Sequence, residues 1–358
     1  MFITVCVIAY NEERTLGSIL GDIAAQDYNH GDIEVILVDS ASTDKTKTIM
    51  REFAQKNNSK AEGFGFRDVK VLDNPKKILP AGWNVALSEY SGEAIVKIDA
   101  HASIPKNFVS LNVEALESGE DVVGGQRPNI IDEPTPWKET LLLAESSMFG
   151  SSIAPYRNNP GKTYVKSLFH GAYRRRVFET VGGFNEQLAR TEDNEIHYRI
   201  RNAGFKIMFS PDIISYQHTR SSLKSMLRQK YSNGYWIGLT TGVCPKCLSL
   251  YHYVPFLFVL AVILSVPGII INELVFPEFN LIGVLAALMW GLYGFLSIVM
   301  SVMAVAGAKE KRNITCIALP VLFLLLHLSY GIGTLIGLVK LPFWLKGIRE
   351  SNGRNKKR

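Results

Sequence analysis

Ile33-Glu-Val-Ile-Leu-Val-Asp39-Ser-Ala-Ser-Thr-Asp44-Lys-Thr-Lys-Thr-Ile-Met50 holds a strand, its exit and the start of a helix. The run at 33–38 has the length and apolar character of a buried strand. It ends at Asp39, and a helical pattern begins five residues on and continues over 44–56. The same rhythm extends outward from it. Apolar strand patterns recur at 2–8, 33–38, 69–72, 94–98 and 121–124, with helical patterns at 12–26, 44–56, 80–90 and 106–118. This alternation predicts βαβ units and a mainly parallel sheet with helices on both faces. Beyond it, helices are expected at 173–181, 192–203 and 221–237, after a turn-rich stretch at 151–168 that reads as a mobile loop.

Composition narrows the class. The 358 residues are 47% hydrophobic and 20% charged, which excludes a disordered chain, and four cysteines exclude a disulfide scaffold. The net charge of +6 is local: Lys340 to Arg358 carries seven basic residues and one acid. The remainder is neutral, so the pI near 9.0 describes a tail and not a nucleic-acid-binding face.

Apolar runs at about 251–271, 281–306 and 315–339 are each long enough to cross a bilayer core of about 30 Å. Met1-Phe-Ile-Thr-Val-Cys-Val-Ile-Ala-Tyr10 lacks a basic leader and a cleavage site, so it reads as a strand, and the first 250 residues are expected in the cytosol. The loop 271–280 has two acids and no base and suits the outside; Lys309-Glu-Lys-Arg312 suits the inside. A third crossing would export the basic tail. The third run contains Pro320, His327, Gly331 and Gly333, and the expectation is that it bends back at the two glycines and keeps the tail cytosolic. Gly333 and Gly337 also form a GxxxG step, which favours close helix packing. The expected organisation is a catalytic domain at 1–220, an amphipathic interfacial helix and linker at 221–250, a membrane region at 251–345 and a basic tail at 346–358.

Ligands of open α/β sheets bind at the carboxyl ends of strands. Here those ends read Ala9-Tyr10-Asn11-Glu12, Val38-Asp39 through Asp44, and Ile98-Asp99-Ala-His101. Carboxylates on such a rim can accept hydrogen bonds from a base or ribose, or hold a cation that neutralises phosphate. Asn11, Ser42 and Asp44 also read as helix caps. Asp99 and His101, two apart, would share one side of a strand exit and suit Mn²⁺ or Mg²⁺; alone, His101 reads equally well as a loop histidine. Thr191-Glu192-Asp193-Asn-Glu195 opens a helix after a turn-like Gly182-Gly-Phe-Asn185. Acids are favourable there whatever the function, and that covers Glu195. The cluster also fits a loop presenting a general base, with Asp193 favoured and Glu192 second. Gly161-Lys-Thr163 lacks the earlier glycine of a P-loop, and the lone Cys244-Pro-Lys-Cys247 has no second pair to make a zinc site.

Together, these motifs resemble the family 2 glycosyltransferases of GT-A fold. The stretch His170-Gly-Ala-Tyr-Arg-Arg-Arg-Val-Phe-Glu-Thr-Val-Gly-Gly-Phe-Asn185 is similar to the membrane-bound branch that includes succinoglycan-type exopolysaccharide glycosyltransferases. The resemblance covers about 3–235 in the family's order and implies an α/β GT-A nucleotide-diphospho-sugar transferase fold with a C-terminal helical membrane region. By position it implies that Ala9, Tyr10, Glu12 and Asp39 line a nucleotide pocket, that Asp99 and His101 take the metal–diphosphate position, and that Asp193 is the catalytic base. His101 stands where the family commonly has a second Asp. The Gln-x-x-Arg-Trp signature of processive synthases is absent, and Arg228-Gln-Lys-Tyr-Ser-Asn-Gly-Tyr-Trp236 occupies its region, so repeated addition is disfavoured.

The implied reaction is inverting transfer of a sugar from a nucleoside diphosphate, with a divalent cation at Asp99 and His101 stabilising the departing diphosphate. Arg228 and Lys230 either add to that or face solvent and lipid phosphates. Leu223, Met226, Leu227, Tyr231 and Tyr235 form an apolar stripe between Lys224, Arg228 and Lys230, so this helix can lie among headgroups. The expected acceptor is a sugar on a membrane polyprenyl diphosphate, with other glycan-assembly enzymes as partners and no nucleic acid. A polyprenyl-phosphate sugar synthase is the nearest alternative. A nucleotidyltransferase would need a glycine-rich loop where Tyr10-Asn11-Glu12 stands, and a non-catalytic membrane scaffold would have lost the site acids.

Overall fold

The computed structural model describes residues 1–58, 65–150, 161–218, 222–275, 280–308 and 312–355. The chain divides into two compact units, Met1–Ile130 with Ala154–His218, and Ile131–Ile153 with Thr219–Arg358.

In the first unit the strands are β1 (Ile3–Ala9), β2 (Ile33–Asp39), β3 (Asp68–Asp73), β4 (Ala94–Asp99), β5 (Ala102–Ser103), β6 (Val122–Gln126), β7 (Asn129–Ile130), β8 (Thr163–Tyr164), β9 (Gly171–Arg174), β10 (Ile207–Ile214) and β11 (Tyr216–His218). Among the described residues, eight of them form one sheet in the order β3-β2-β1-β4-β9-β6-β10-β8, and β5-β11-β7 form a smaller one. The helices are α1 (Leu16–Ala24), α2 (Thr46–Asn57), α3 (Leu79–Glu89), α4 (Phe108–Glu117), α6 (Arg175–Val181) and α7 (Glu192–Asn202), with α5 (Pro136–Ser146) belonging to the second unit.

Period-two alternation sorts β1 between two layers. Ile3, Val5 and Val7 pack with Leu16, Ile19 and Phe108, while Cys6 and Ile8 pack with Trp83, Ala86 and Ile196. Helices therefore cover both faces, as the alternation predicts. The sheet is mixed, however. Gly171–Arg174 is an antiparallel strand between β4 and β6, so Tyr173 and Arg174, the first two residues of the helix expected at 173–181, are in a strand and the helix starts only at Arg175. Burial decides this: Ala172 and Tyr173 are almost wholly enclosed there.

The second unit adds α8 (Leu223–Thr240), α9 (Val254–Val275), α10 (Leu281–Gly307) and α11 (Leu319–Asn355) to α5. Thr135 caps α5 by accepting from the Lys138 amide at 3.3 Å, and Pro136 opens the helix. Leu141, Ala144 and Met226 pack with Leu319, Leu322, Phe323 and Leu326. Three described helices are long and apolar enough to cross a membrane, and two of them match the runs expected at 251–271 and 281–306. The third corrects the expectation of a bend at Gly331 and Gly333. α11 is continuous from Leu319 to Asn355, and both glycines lie against backbone atoms of neighbouring helices. Of the turn-rich stretch, 151–160 lies outside the described residues, as do Lys309 and Lys311.

Candidate active site

Strand register gathers the sequence-flagged acids on one rim. Ala9 is paired with Asp39, Asp39 with Asp73, and Ile8 with Asp99, so all these positions fall at the carboxyl edge. Two loops leave this edge and are laced together. The Asn11 side chain accepts from the Thr43 amide at 2.8 Å, the Asn11 amide donates to Ser42 Oγ at 3.0 Å, and the Glu12 amide donates to Thr46 Oγ1 at 2.8 Å. Asn11 and Ala41 take left-handed backbone angles, φ 55° and 56°, which are uncommon for residues with a Cβ. Asn11 and Ser42 thus join the loops instead of capping their own helices. Asp44 does serve its helix, accepting from the Thr46 amide at 2.9 Å.

Asp39 is buried, with Oδ1 accepting from the Ser42 amide at 3.2 Å, while the ring of Tyr10 is 49% exposed and open to a ligand. Glu12 Oε1 lies 3.4 Å from His101 Nδ1. β4 stops at Asp99, and His101 follows in a turn, so strand alternation does not set its direction. Asp99 Oδ2 is 3.1 Å from His170 Nε2, whose Nδ1 lies 2.8 Å from Ser215 Oγ. Burial alone would raise the Asp99 carboxyl, but His170, His101 and Lys97 hold it well below the usual carboxylate range.

Lys97 stands two residues before Asp99 on β4 and is buried. Its ammonium pairs with Asp193 in the first turn of α7 and lies 5.5 Å from the Trp83 ring centroid. Burial disfavours the Lys97 charge, yet Asp193 and Tyr173 keep its proton more tightly held than in a free lysine. Burial pushes Asp193 up and Lys97 opposes it. Burial and the neighbouring Asp193 push Glu192 up as well, and Glu192 Oε2 is enclosed without a hydrogen-bond partner. Glu195 does other work: it grips Arg199 at 2.7 Å, and Arg199 holds the Gly183 carbonyl at 2.7 Å in the turn before α7.

A profile of Glycosyl transferase family 2 matches residues 4–182, and one of Glycosyl transferase family group 2 matches 94–335. The chain belongs to glycosyltransferase family 2. A Methanococcus voltae relative, dolichyl N-acetyl-alpha-D-glucosaminyl phosphate 3-beta-D-2,3-diacetamido-2,3-dideoxy-beta-D-glucuronosyltransferase, is 24% identical over 345 residues, 95% of this chain and 98% of its own. Succinoglycan biosynthesis protein ExoA of Rhizobium meliloti is 28% identical over 205 residues, 56% of this chain and 58% of that protein. The mannosyltransferase PcManGT from Pyrobaculum calidifontis, solved with GDP-Man and Mn²⁺, has a TM-score of 0.51 at 18% identity, over 95% of this chain and 86% of that one. At that identity the likeness concerns the fold. The chain thus joins a GT-A-like α/β domain to C-terminal helices apolar enough to span a membrane.

For this family 2 glycosyltransferase, the structure brings Ala9, Tyr10, Glu12, Asp39, Asp99 and His101 to one rim and sets Asp193 and Glu192 beside Lys97. Arg228 is exposed on α8, in the other unit. Lys97 and His170 join the site without having been expected from the sequence. Lys97 had a visible signal, a lone charge inside the apolar Ala94-Ile-Val-Lys-Ile strand. His170 had none, because its partners come from 71 and 45 positions away.

Proposed function

We propose that this glycosyltransferase moves a sugar from a nucleoside diphosphate to a hydroxyl of a lipid-linked acceptor, on a polyprenyl phosphate or diphosphate, by one inverting displacement. The observation that carries this reading is the Lys97–Asp193 pair beside the Asp99 rim. Tyr10, Ala9, Glu12 and Asp39 receive the nucleotide, the exposed Tyr10 ring offering a face to the base. Asp193 takes the acceptor proton as its oxygen attacks the anomeric carbon, and one base suffices because the diphosphate leaves without needing a proton. Lys97 favours the ionised form of that carboxylate against the effect of burial and orients it.

The donor set fits a divalent cation that completes its shell with phosphate oxygens and water. Asp99 and His101 supply a carboxylate and an imidazole, and among the described residues no cluster of three or more ligating side chains forms a closed cage. Mn²⁺ or Mg²⁺ held by Asp99 and His101 would offset charge on the departing diphosphate. The binding of Mn²⁺ and GDP-Man by the Pyrobaculum enzyme, and the dolichyl phosphate substrate in the name of the Methanococcus one, favour this donor and acceptor chemistry. The acidic loop after α9 and the base Arg312 after α10 favour a multi-pass protein of the cell membrane with its catalytic unit on the cytoplasmic side.

The test is radiolabel transfer from a panel of nucleotide sugars to lipid in membranes holding the purified chain. EDTA should abolish transfer and Mn²⁺ or Mg²⁺ restore it. Label released only as free sugar, or none moved from any donor, would end this reading.

A further inference from the structure

Helices α8 and α11 are joined by a seam of glycines. A Cβ on Gly234 would collide with the Tyr330 carbonyl oxygen, and one on Gly333 with that of Tyr231. Gly238 meets Thr334 in the same way, and Gly337 meets Tyr235. Within each series both partners advance by four, from Gly234–Tyr330 to Gly238–Thr334 and from Tyr231–Gly333 to Tyr235–Gly337, so the helices run parallel in one fixed register. Met226 packing in the cluster of Leu322, Phe323 and Leu326 extends the register back toward the start of both.

That register sets charge beside an apolar run. The first half of α8 reads Leu223-Lys-Ser-Met-Leu-Arg-Gln-Lys-Tyr-Ser-Asn233. Lys224 and Arg228 are exposed, and the buried Lys230 is paired with Glu145 of α5 at 2.9 Å. Were α11 to enter a membrane at Leu319 and cross it, Arg228, level with His327, would stand about 12 Å into a core about 30 Å thick. Each such charge costs about 2.5–3.5 kcal/mol near mid-bilayer on insertion scales. Keeping these charges among headgroups keeps the first third of α11 there too. Only Tyr330–Val339 then separates that level from Lys340, about 15 Å of helix and half of what a crossing needs.

Burial separates the helices in the same sense. In the most apolar window of α9 or α10, 6% of residues are buried, as expected of helices sheathed in lipid, against 39% in α11. The large hydrophobic residues that α11 leaves exposed, Val321, Ile332, Val339 and Phe343, fall on one stripe, and its other exposed residues, Lys340, Lys346, Arg349 and Glu350 among them, lie toward its C-terminal end.

We propose that α8 and α11 form a monotopic pair lying along an anionic bilayer surface, and that only α9 and α10 cross. The stripe sinks into the acyl boundary while Lys224, Arg228 and Lys340 meet lipid phosphates. Lys346 and Arg349, both exposed on the last turns of α11, extend the basic rim. The basic tail then stays on the side where α11 begins. This inference rests on the membrane reading above for α9 and α10 and departs from three straight crossings in α11.

The test places a spin label singly at Val321, Ile332 and Val339 of the full chain, in vesicles containing phosphatidylglycerol, in a background without the four native cysteines. Depth is read from the balance of oxygen and nickel-chelate accessibility. A surface helix gives three equal, shallow depths. A crossing helix puts Ile332 near the core centre with the other two nearer its surfaces, and that result overturns the proposal. A label at Leu288 on α10 must be deep; if it is shallow, the hairpin crossing fails, and the membrane reading fails with it. A second measurement needs no cysteine change. An epitope appended after Arg358 should be reached by antibody only in permeabilised cells, and staining of intact cells would mean that α11 crosses.

Discussion

The two edges of the central sheet carry acids in opposite conditions. At the edge where the strands begin, Glu34 is buried with every oxygen answered. Lys70 Nζ lies 2.6 Å from Oε1, Thr4 Oγ1 donates to Oε2 at 2.6 Å, and the Ser91 amide and hydroxyl donate at 2.8 and 2.9 Å. At the edge where they end, Tyr10 is open to solvent, Asp193 leans on one buried lysine, and Glu192 Oε2 has no partner. A saturated carboxylate has nothing left to offer a substrate, whereas an unsaturated one costs stability unless a ligand completes it. The difference separates an acid that holds the sheet together from the acids proposed above to do chemistry on it.

The largest expected effect comes from cutting the pair at the working edge. Lys97→Met leaves Asp193 enclosed without its counter-charge, and breaking a buried pair from one side costs about 3–5 kcal/mol, less whatever the carboxyl recovers by taking up a proton. Thermal unfolding should record the loss, and transfer should fall with it because a protonated Asp193 is no base. A variant with full stability and full transfer would show that Lys97 merely fills space. Next comes Asp193→Asn, which keeps the shape and removes the base. Turnover should fall by about 10²-fold or more while donor binding survives. If instead Glu192→Gln is dead and Asp193→Asn is active, the base is one residue earlier.

At the opposite edge the same kind of change should leave chemistry alone. Glu34→Gln weakens a four-partner site and should cost about 1–3 kcal/mol in denaturant unfolding, with transfer per folded molecule unchanged. Its pH dependence has a definite sign. Burial would raise the Glu34 carboxyl, but Lys70, Thr4 and Ser91 more than offset this and leave it below its ordinary value. A depressed carboxyl adds stability above its unfolded pKa and loses it as pH falls through the folded one. The wild-type chain should therefore lose stability on acidification more steeply than Glu34→Gln, and parallel curves would remove Glu34 from the account.

These contrasts also mark what could be read in the sequence. The βαβ rhythm and the acids at strand exits were legible because an apolar run and its boundary are local features. Glu34 and Asp39 sit in one strand as Ile33-Glu-Val-Ile-Leu-Val-Asp39, and nothing local tells which is saturated; Ser91 and Lys70 decide that from far along the chain. β9 was hidden in the same way, since its pairing with β4 and β6 overrides a helix-like stretch. Gly333 and Gly337 were visible as a step, but the bend expected at Gly331 and Gly333 was wrong. A glycine marks a close approach as readily as a break, and here Gly331 lies against the Pro255 backbone of α9 and Gly333 against the Tyr231 backbone of α8.

The smallest expected effect concerns His101. His101 follows the end of β4 in a turn and lies 3.4 Å from Glu12, so it is placed either to share a cation with Asp99 or to steady the first loop. His101→Asp separates these roles. A carboxylate restores oxygen ligation, which suits Mg²⁺, while the native imidazole tilts the site toward Mn²⁺. If His101 is a ligand, the variant should keep transfer within a few-fold, and its ratio of Mg²⁺- to Mn²⁺-supported rates should rise when EDTA-stripped enzyme is titrated with each metal. If His101 only steadies Glu12, the new acid faces an old one, donor affinity drops through like-charge repulsion, and the metal ratio does not move.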